Sequence, residues 1–339
     1  MNSLKKIAVT AVAAYGGLQL ARMIVRHRRR FDWRGKRVVI TGGSRGLGLV
    51  IARQLADAGA KLAICARDEE AVGIAAAELR GRGAEVFAAA CDVRDERQVA
   101  SFIEGAAEQF GGVDVLFNVA GIITVGPFDS MTQQDFENSM STNCWGALHM
   151  ARQVLPHMRR QGWGRIVNVA SLGGKRAVPH MLTYAASKFA LVGLSNGLRA
   201  ELQHENIFVT TACPGLMRTG SPRNAMFKSQ HRREYAWFSI GDSLPVVSMS
   251  AEAAAEQIIE ACQQGRGEVF IHGPLNVTIA LQNMFPEMAH DILALAGSVL
   301  PKMGGIGQSA AKGYQSESAW SPSVLTTLTQ RAAAANNEL

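Results

Sequence analysis

The chain has 339 residues, 47% of them apolar, which is enough for one large domain or two small ones with a full core. Its formal net charge of +7 belongs to residues 1–30, which carry seven Lys and Arg and no Asp or Glu, so the remainder is formally neutral. This distribution, and the lack of a motif that interleaves aromatic and basic residues, argue against a nucleic-acid-binding domain.

Cysteine usage points to a reducing compartment. The spacing contains no Cys-x-x-Cys and no Cys/His cluster, so we expect no zinc site. An odd number of cysteines in a chain with a large core favours reduced, buried thiols. The five positions are Cys65, Cys91, Cys144, Cys213 and Cys262.

The first segment of the chain is apolar and flanked by basic residues. Residues 7–25 form an apolar stretch interrupted by Gln19 and Arg22, and about twenty apolar residues suffice to cross a bilayer. The larger basic cluster, at 26–30, adjoins the rest of the chain, which by the positive-inside tendency stays cytoplasmic. We therefore predict a membrane anchor, spanning or interfacial; a cleaved signal peptide, or a helix packed on the fold or a partner, is the alternative.

After Arg34, short apolar runs alternate with amphipathic segments. This predicts strands near 37–41, 61–65, 85–89, 113–118, 164–169, 206–212 and 268–271, and helices near 46–58, 69–80, 95–109, 132–160, 182–203 and 251–263. The pattern is typical of an α/β fold with a Rossmann-like, doubly wound parallel sheet of about seven strands and helices on both faces. Ligands of such sheets bind outside the carboxyl ends of the strands. Five residues follow predicted strands and should share that edge: Gly42, Asp92, Gly121, Ser171 and Pro214.

A glycine-rich turn follows the first predicted strand, with the spacing Gly42-x-x-x-Gly46-x-Gly48. Glycine permits a tight turn and lets backbone N–H groups approach a phosphate. The helix that follows offers unpaired N–H groups and a positive dipole end. The turn predicts a dinucleotide site, with a purely structural turn as the alternative.

Tyr184 and Lys188 are four residues apart, so a helix places them on one face. Ser171 ends the preceding apolar run. A hydroxyl at a strand end beside a Tyr–Lys pair suits acid/base chemistry, because a nearby ammonium favours the phenolate and can lower the pKa of a phenol.

Together these residues resemble the short-chain dehydrogenase/reductase family over roughly 34–273. The resemblance rests on Thr41-Gly-x-x-x-Gly-x-Gly48, Asn118-Val-Ala-Gly121, Asn143, Ser171, Tyr184-x-x-x-Lys188 and Pro214-Gly215. It implies that Tyr184 is the acid/base, that Ser171 binds the substrate oxygen and that Lys188 also holds the cofactor ribose. It further implies that Asn143 supports a proton-relay water; the alternatives are a core tyrosine, a helix-capping serine and a structural asparagine. The cofactor contacts that we assign are Gly42, Ser44, Arg45, Gly46, Leu47, Gly48, Arg67, Asp92, Val93, Asn118, Ala120, Gly121, Tyr184, Lys188, Pro214, Gly215 and Thr219.

The end of the second predicted strand bears on the choice of cofactor. NAD sites usually carry an acidic residue there, but Ala66 holds that place and Arg67 follows it. In the family, basic residues at the positions of Arg45 and Arg67 imply NADP(H), since a 2′-phosphate needs charged partners. If the alignment of this strand end with the family were shifted by one residue, Asp68 would instead be the acidic residue of an NAD site.

Two later regions carry weaker signals. Residues 216–250 lack periodicity and mix basic with apolar residues, which suggests a lid that captures an acyl chain with a phosphate head, meets an anionic membrane, or simply covers an aliphatic pocket. Beyond Gly273 the sequence predicts a helix over 285–300 and another from Pro322 to Ala335 with Ser321 as its cap. We expect the first helix to pack on the core and wall the cleft, with membrane docking as the alternative.

These inferences define three segments: an anchor at 1–30, an NADP-binding domain at 31–273 and a helical extension at 274–339. They predict a membrane-associated, NADP(H)-dependent oxidoreductase that interconverts a lipophilic alcohol and its ketone or aldehyde, with a role in lipid metabolism. The expected partners are a lipophilic small molecule and a membrane surface, without nucleic acid or metal, and a homodimer is possible in this family. The alternatives are a 3-oxoacyl reductase acting on carrier- or coenzyme-bound chains and a non-catalytic, NADPH-sensing scaffold.

Overall fold

The computed structural model describes residues 3–245, 248–271 and 273–339. The helices are α1 Ser3–Arg28, α2 Gly46–Asp57, α3 Glu69–Gly81, α4 Glu96–Phe110, α5 Gln133–Met140, α6 Gly146–Gln161, α7 Leu182–Leu202, α8 His231–Ser243, α9 Ala251–Gln263, α10 Gly273–Met284, α11 Pro286–Ser298 and α12 Thr327–Ala335. The strands are β1 Arg37–Thr41, β2 Lys61–Ala66, β3 Val86–Ala90, β4 Val115–Asn118, β5 Thr124–Val125, β6 Gly164–Val169, β7 Ile207–Pro214, β8 Leu216–Arg218, β9 Met226–Lys228, β10 Ser248–Ser250, β11 Glu268–Ile271 and β12 Ala310–Lys312.

Seven parallel strands form the central sheet in the order β11-β7-β6-β4-β1-β2-β3. Helices pack on both faces, and two large apolar clusters fill the layers between helices and sheet. The strand order reverses beside β1, where the doubly wound architecture opens a crevice at the carboxyl ends of the strands. The predicted Rossmann-like fold of seven strands is confirmed.

The strands are buried on both sides, which explains their continuous apolar runs. In β1, Val38, Val39 and Ile40 are almost wholly buried, and the residues of β6 are buried throughout. Parallel strands covered by helices on both faces lose the alternation of polar and apolar residues that half-exposed strands show. Register places Thr41, Asn118 and Asn168 side by side at one end of the sheet.

The N-terminal helix α1 leaves large apolar side chains exposed, among them Leu20 and Met23. Its end meets the domain, where Arg30 pairs with Glu260 at 2.6 Å and the Arg29 guanidinium lies over the Phe208 ring. Across the described ranges, no helix has both the length and the apolarity that crossing a membrane requires. The predicted transmembrane segment at 7–25 is therefore not supported.

The segment 216–250 is more ordered than its irregular sequence suggested. It contains α8 and the short strands β8, β9 and β10, and β9 pairs with both β5 and β12. The lid prediction overlooked α8 because its buried face includes polar residues such as Glu234 and Asp242, which break the apolar periodicity. Residues 246 and 247 of this segment lie outside the described part of the chain.

The C-terminal extension differs from the prediction in two places. Most of the apolar stripe over 285–300 stays exposed, since Met288, Ile292 and Val299 are each more than half exposed, and Ala289 is its buried contact. The last helix, α12, begins at Thr327 instead of Pro322, after a single 3-10 turn that Ser323 caps, while the Ser321 hydroxyl bonds to that of Ser239. The later start of α12 reflects a tertiary contact that the local pattern does not encode.

Candidate active site

A cleft of about 580 Å³ lies at the carboxyl edge of the central sheet. It gathers all of the predicted cofactor residues except Asn118: Gly42, Ser44, Arg45, Gly46, Leu47, Gly48, Arg67, Asp92, Val93, Ala120, Gly121, Tyr184, Lys188, Pro214, Gly215 and Thr219. Ser171 also lines it. The residues that the topology was expected to bring to one edge therefore surround one cavity.

The glycine turn between β1 and α2 forms one end of the cleft. Gly42 adopts a φ of +66°, and a Cβ on Gly48 would lie 2.1 Å from the Gly42 carbonyl oxygen. No side chain fits there, because the Gly42 carbonyl is part of the backbone and cannot move aside. The Thr41 hydroxyl accepts hydrogen bonds from the backbone N–H groups of Val119 and Ala120, at 3.0 and 3.1 Å, and so fixes the turn to the end of β4. Thr41 belongs to the glycine motif, but the sequence did not indicate this role.

Residues that follow the carboxyl end of β2 lie beside the glycine turn. The strand ends at Ala66, so Arg67 is the first residue beyond it and lines the cleft with Arg45. Asp68 also reaches the cleft, but its carboxylate accepts a hydrogen bond from the Ala71 N–H at 3.1 Å and caps α3. Two cations thus face this end of the cleft beside a carboxylate engaged as a helix cap.

Tyr184 and Ser171 meet at the other end of the cleft. Tyr184 lies in the first turn of α7, and Ser171 follows β6, as predicted. Burial raises the pKa of the Tyr184 phenol above its ordinary value, and a hydrogen bond with Ser171 offsets part of that rise. The Ser171 hydroxyl also accepts from the Gly173 N–H at 3.0 Å, so it caps a 3-10 turn as well as facing the phenol.

Lys188 lies one helical turn after Tyr184 and is buried. Its Nζ donates to the Val169 carbonyl at 2.8 Å and lies 5.7 Å from the centroid of the Tyr184 ring. Desolvation lowers the pKa of Lys188 from 10.5 to about 8. In the protein alone burial raises the pKa of the Tyr184 phenol, and its hydrogen bond with Ser171 is the contact that lowers it, so the lowering by the ammonium stays a prediction for the protein with its cofactor bound.

Asn143 lies below the cleft in a π-helical turn that was not predicted from the sequence. Residues Ser141–Trp145 form a π-helical turn between α5 and α6, inside the single helix predicted over 132–160. Asn143 donates to the Ile122 carbonyl at 3.1 Å and to the Ser187 hydroxyl at 2.9 Å, and it accepts from the Ile122 N–H at 2.8 Å. A Cβ on Gly121 would lie 3.1 Å from Asn143 Oδ1 and 3.6 Å from Lys188 Nζ, so these three residues are close neighbours.

Asn118 is the exception among the predicted cofactor contacts. It is buried at the end of β4, and its amide donates to Asn168 Oδ1 at 2.9 Å. From there the bonds continue through Asn168 to the Ser195 hydroxyl at 3.1 Å. Asn118 therefore belongs to a polar network beneath the cleft and does not line it.

The C-terminal tail supplies cleft residues that sequence analysis missed. Glu338 and Lys312 both line the cavity, and Asn336 accepts a hydrogen bond from the Gly46 N–H at 2.9 Å. No motif marks these positions, since the contact depends on the path of the chain after α12. Within the described residues, no cluster of His, Cys, Asp or Glu could hold a metal ion, and all five cysteines are buried and unpaired.

The residues present fit a dinucleotide. The glycine turn brings backbone within reach of a phosphate, the start of α2 points into the cleft, and the guanidinium groups of Arg45 and Arg67 can neutralise anionic groups. At the opposite end, a phenol, a hydroxyl and a buried amine can bind and protonate an oxygen. The arrangement supports hydride transfer to or from a carbon that bears oxygen.

The sequence and fold match known proteins. The family model for short chain dehydrogenases matches residues 36–229. Dehydrogenase/reductase SDR family member 7B of Danio rerio is 30% identical over 295 residues, covering 85% of this chain and 94% of its own. Ketoacyl reductase HetN of a Nostoc species is 35% identical over 181 residues, covering 53% of this chain and 63% of its own. A short chain dehydrogenase/reductase of Burkholderia phymatum, solved in complex with NAD, superposes with a TM-score of 0.67 at 28% identity, covering 76% of this chain and 96% of its own.

Proposed function

The chain belongs to the short-chain dehydrogenase/reductase family of oxidoreductases, and on this premise we propose that it interconverts a lipophilic alcohol and its ketone or aldehyde with NADP(H). The observation that carries the proposal is the meeting of Ser171, Tyr184 and Lys188 at one end of a cleft whose other end is the glycine turn. Hydride transfer needs both ends, because one binds the dinucleotide and the other binds and protonates the oxygen.

Each residue of the catalytic end has a distinct task. A bound nicotinamide supplies the hydride in reduction and accepts it in oxidation. The Tyr184 hydroxyl gives its proton to the carbonyl oxygen in reduction, and its oxygen takes the proton back in oxidation. The Ser171 hydroxyl donates to the same substrate oxygen and stabilises the negative charge that develops there.

Lys188 and Asn143 hold this end in place. The Lys188 Nζ is fixed by the Val169 carbonyl, so its remaining N–H groups can turn toward the cofactor ribose and the phenol. Asn143 orients the loop at Ile122 through two hydrogen bonds and abuts Gly121 beside the lysine. Its amide oxygen thereby borders the space in which a proton-relay water would sit.

The proposed cofactor is NADP(H). Support comes from Ala66 at the strand end, from the two cations Arg45 and Arg67, and from the use of Asp68 as the cap of α3. A ribose 2′-phosphate gains charge-assisted hydrogen bonds from such guanidinium groups, whereas a 2′-hydroxyl needs an acceptor. The test is to measure kcat/KM with each cofactor. We expect kcat/KM to be at least tenfold higher with NADPH than with NADH, and a value tenfold or more higher with NADH would refute the assignment.

The proposed substrate is lipophilic. An apolar cluster of Val125, Met181, Phe227, Tyr235 and Phe238 packs beside Tyr184, and Ile122, Ile123 and Met217 line the cleft. A panel of steroid, retinoid and long-chain ketones, with NADPH absorbance as the readout, tests this. Turnover restricted to small hydrophilic ketones would contradict it.

A 3-oxoacyl reductase is the second candidate, favoured by the ketoacyl reductase among the relatives. Its coenzyme- or carrier-bound substrates carry phosphate, which the basic residues of 216–250 were expected to bind. Several of these are engaged internally, however: Lys228 pairs with Asp135, Arg223 with Glu317, and Arg218 bonds to Ser248. Faster reduction of acetoacetyl-coenzyme A than of any free ketone would favour this candidate, and failure of every ketone to oxidise bound NADPH would instead indicate a non-catalytic, NADPH-sensing scaffold.

We also propose that the protein associates with a membrane surface from the cytoplasmic side. Support comes from the exposed apolar side chains of α1, including Leu20 and Met23, and from the basic residues at 26–30 that follow them. Apolar groups beside a basic cluster bind the interface of anionic bilayers. Recovery of the full-length protein in the supernatant, after membranes are pelleted without detergent, would refute this location.

A further inference from the structure

The C-terminal tail runs across the glycine turn. Helix α12 packs against Gly220, and the chain then continues through Asn336, Asn337 and Glu338. Asn336 Nδ2 donates to the Thr219 carbonyl, and Asn337 Nδ2 donates to the Ser44 carbonyl, both at 3.4 Å. The tail therefore spans from Thr219, one of the predicted cofactor contacts, to the glycine turn.

The tail is hydrogen-bonded to a backbone N–H group at the start of α2, where a phosphate would bind. The first N–H of α2, on Gly46, donates to the Asn336 carbonyl at 2.9 Å. The N-cap position of that helix is Arg45, whose side chain gives no capping hydrogen bond in the described part of the chain. Unpaired N–H groups at a helix start are the usual donors to a pyrophosphate. A main-chain carbonyl of the tail takes one of them.

A buried carboxyl group lies at the same place. Glu338 is 5% exposed, and its Oε2 lies 3.7 Å from Arg45 Nε. A Cβ on Gly46 would lie only 2.6 Å from Glu338 Oε1, so the carboxylate touches the face of the turn that glycine leaves open. Asn224 holds it there by donating to Glu338 Oε2 at 2.7 Å and to the Glu338 carbonyl at 2.9 Å.

Resting on the dinucleotide cofactor of the proposed function, we propose that residues 336–338 are a built-in occupant of the phosphate-binding turn that the cofactor must displace in order to bind. A carboxylate and a phosphate both seek the helix start and the Arg45 guanidinium, and the two cannot share them without strong repulsion. The docked tail thus lowers cofactor affinity, and any event that removes the tail raises it.

Burial opposes the ionisation of Glu338 in the docked tail. Burial raises the pKa of Glu338 to about 7, although Arg45 and Asn224 pull it the other way. Burial likewise raises the pKa of Asp242, which lies below α12, to about 8. Ionisation of Glu338 therefore weakens the docked contact, which favours release of the tail as the pH rises.

Two variants test the proposal from different sides. Glu338→Gln removes the charge but keeps the size of the side chain, and Asn224→Ala removes the clamp on the tail without touching the cleft. Glu317→Gln is the matched control, because Glu317 is another carboxylate of the extension that pairs with Arg223 instead of Arg45. At pH 8 we expect Asn224→Ala to lower the Kd for NADPH about tenfold, measured by NADPH fluorescence, because the tail loses its clamp. Glu338→Gln should raise the Kd, because the neutral amide docks without the cost of burying a charge, and the control should stay within about twofold of the wild type.

Hydrogen exchange of residues 327–339 in the full-length wild type provides a second readout. Addition of NADPH should accelerate exchange in this segment. If NADPH binds every protein equally well and leaves exchange unchanged or slower, the tail is a fixed wall or a lid, and the inference fails while the proposed function stands. If none of the proteins binds NADPH, the proposed cofactor and the inference both fail.

Discussion

At the scale of single residues, the site rests on a buried amine and on glycines that no other residue can replace. Lys188 is 4% exposed and has the Val169 carbonyl as its hydrogen-bond partner, so its charge is held in place at a cost to folding. Gly48 allows α2 to start against the Gly42 carbonyl. The buried charge of Lys188 costs folding stability, and position 48 accepts only glycine. Both features serve a site that binds anions and moves protons.

We predict that Gly48→Ala disrupts the turn. The new Cβ would lie 2.1 Å from the Gly42 carbonyl oxygen, and backbone cannot move aside as a flexible side chain can. The expected loss is about 1–3 kcal/mol in the free energy of unfolding, with NADPH binding abolished. Gly73→Ala is the control: it lies inside α3 with nothing within 4 Å of a Cβ, and it should be neutral or stabilising. Urea unfolding that shows the two variants equally stable would contradict this.

Lys188→Met should make the protein more stable at pH 7 while removing activity. Desolvation lowers the pKa of Lys188 from 10.5 to about 8, so the charged form is disfavoured in the folded state by about 3 kcal/mol. Between pH 8 and 10.5 the unfolded wild type binds more protons than the folded form, so its stability rises with pH and the gap to the variant should close. Urea unfolding at pH 7 and pH 10 measures this. A variant less stable than the wild type at pH 7 would show that the hydrogen bond to Val169 matters more than desolvation.

At the scale of elements, the central sheet could be predicted from sequence and the tail could not. Strand β1 carries a continuous apolar run over 38–40 because both of its faces are buried, and such a run is visible in the sequence. The glycine spacing identifies the predicted cofactor site after β1, and the Tyr–Lys pair identifies the predicted acid/base residues on α7. The π-helical turn at Ser141–Trp145 and the helix α8 escaped prediction, because long-range contacts of buried polar residues stabilise them.

The position of the docked tail could not be predicted from the local sequence either. Asn336 and Glu338 reach the glycine turn from nearly three hundred residues away, and nothing in the local sequence indicates where the chain after α12 will go. The position of the Asn118 side chain was likewise not visible in the sequence. Its motif identified the end of β4 correctly, but the side chain turns into the polar network with Asn168.

Docking of the tail should weaken as pH rises. Burial raises the pKa of Glu338 to about 7 against an ordinary value of 4.5, so the folded state binds more protons than the unfolded state between these values. The charged groups that face it are Arg45 and Asp242. Glu338→Gln should match the wild type near pH 4.5 and exceed it by about 1–3 kcal/mol at pH 8. Identical unfolding free energies at both pH values would show that the ion pair with Arg45 cancels the burial.

At the scale of the whole molecule, several apolar surfaces remain exposed. One lies near the catalytic end, where Trp145 and Phe189 are each 45% exposed on the helices that carry Asn143 and Tyr184. Others lie on α1 and α11. Exposed apolar patches on a folded chain indicate contact with a partner or a membrane.

We predict that Trp145 and Phe189 lie in a homodimer interface. The double change Trp145→Glu and Phe189→Glu should give a monomer, because it places unpaired charges in an apolar contact. Light scattering of the purified proteins measures the mass, and Met288→Glu with Ile292→Glu on α11 is the matched control. A wild type that is already monomeric at micromolar concentration would contradict the prediction.

The central claim is that Tyr184 moves the proton in a reaction for which the cleft binds NADPH. Its most direct test compares Tyr184→Phe with the wild type in the oxidation of NADPH by a long-chain ketone, with Tyr314→Phe, an exposed tyrosine of the extension, as the control. We predict that kcat falls by about 10²–10⁴ in Tyr184→Phe, while the Kd for NADPH stays within about twofold and the control keeps full activity. A Tyr184→Phe enzyme that keeps half of the wild-type kcat would contradict the account.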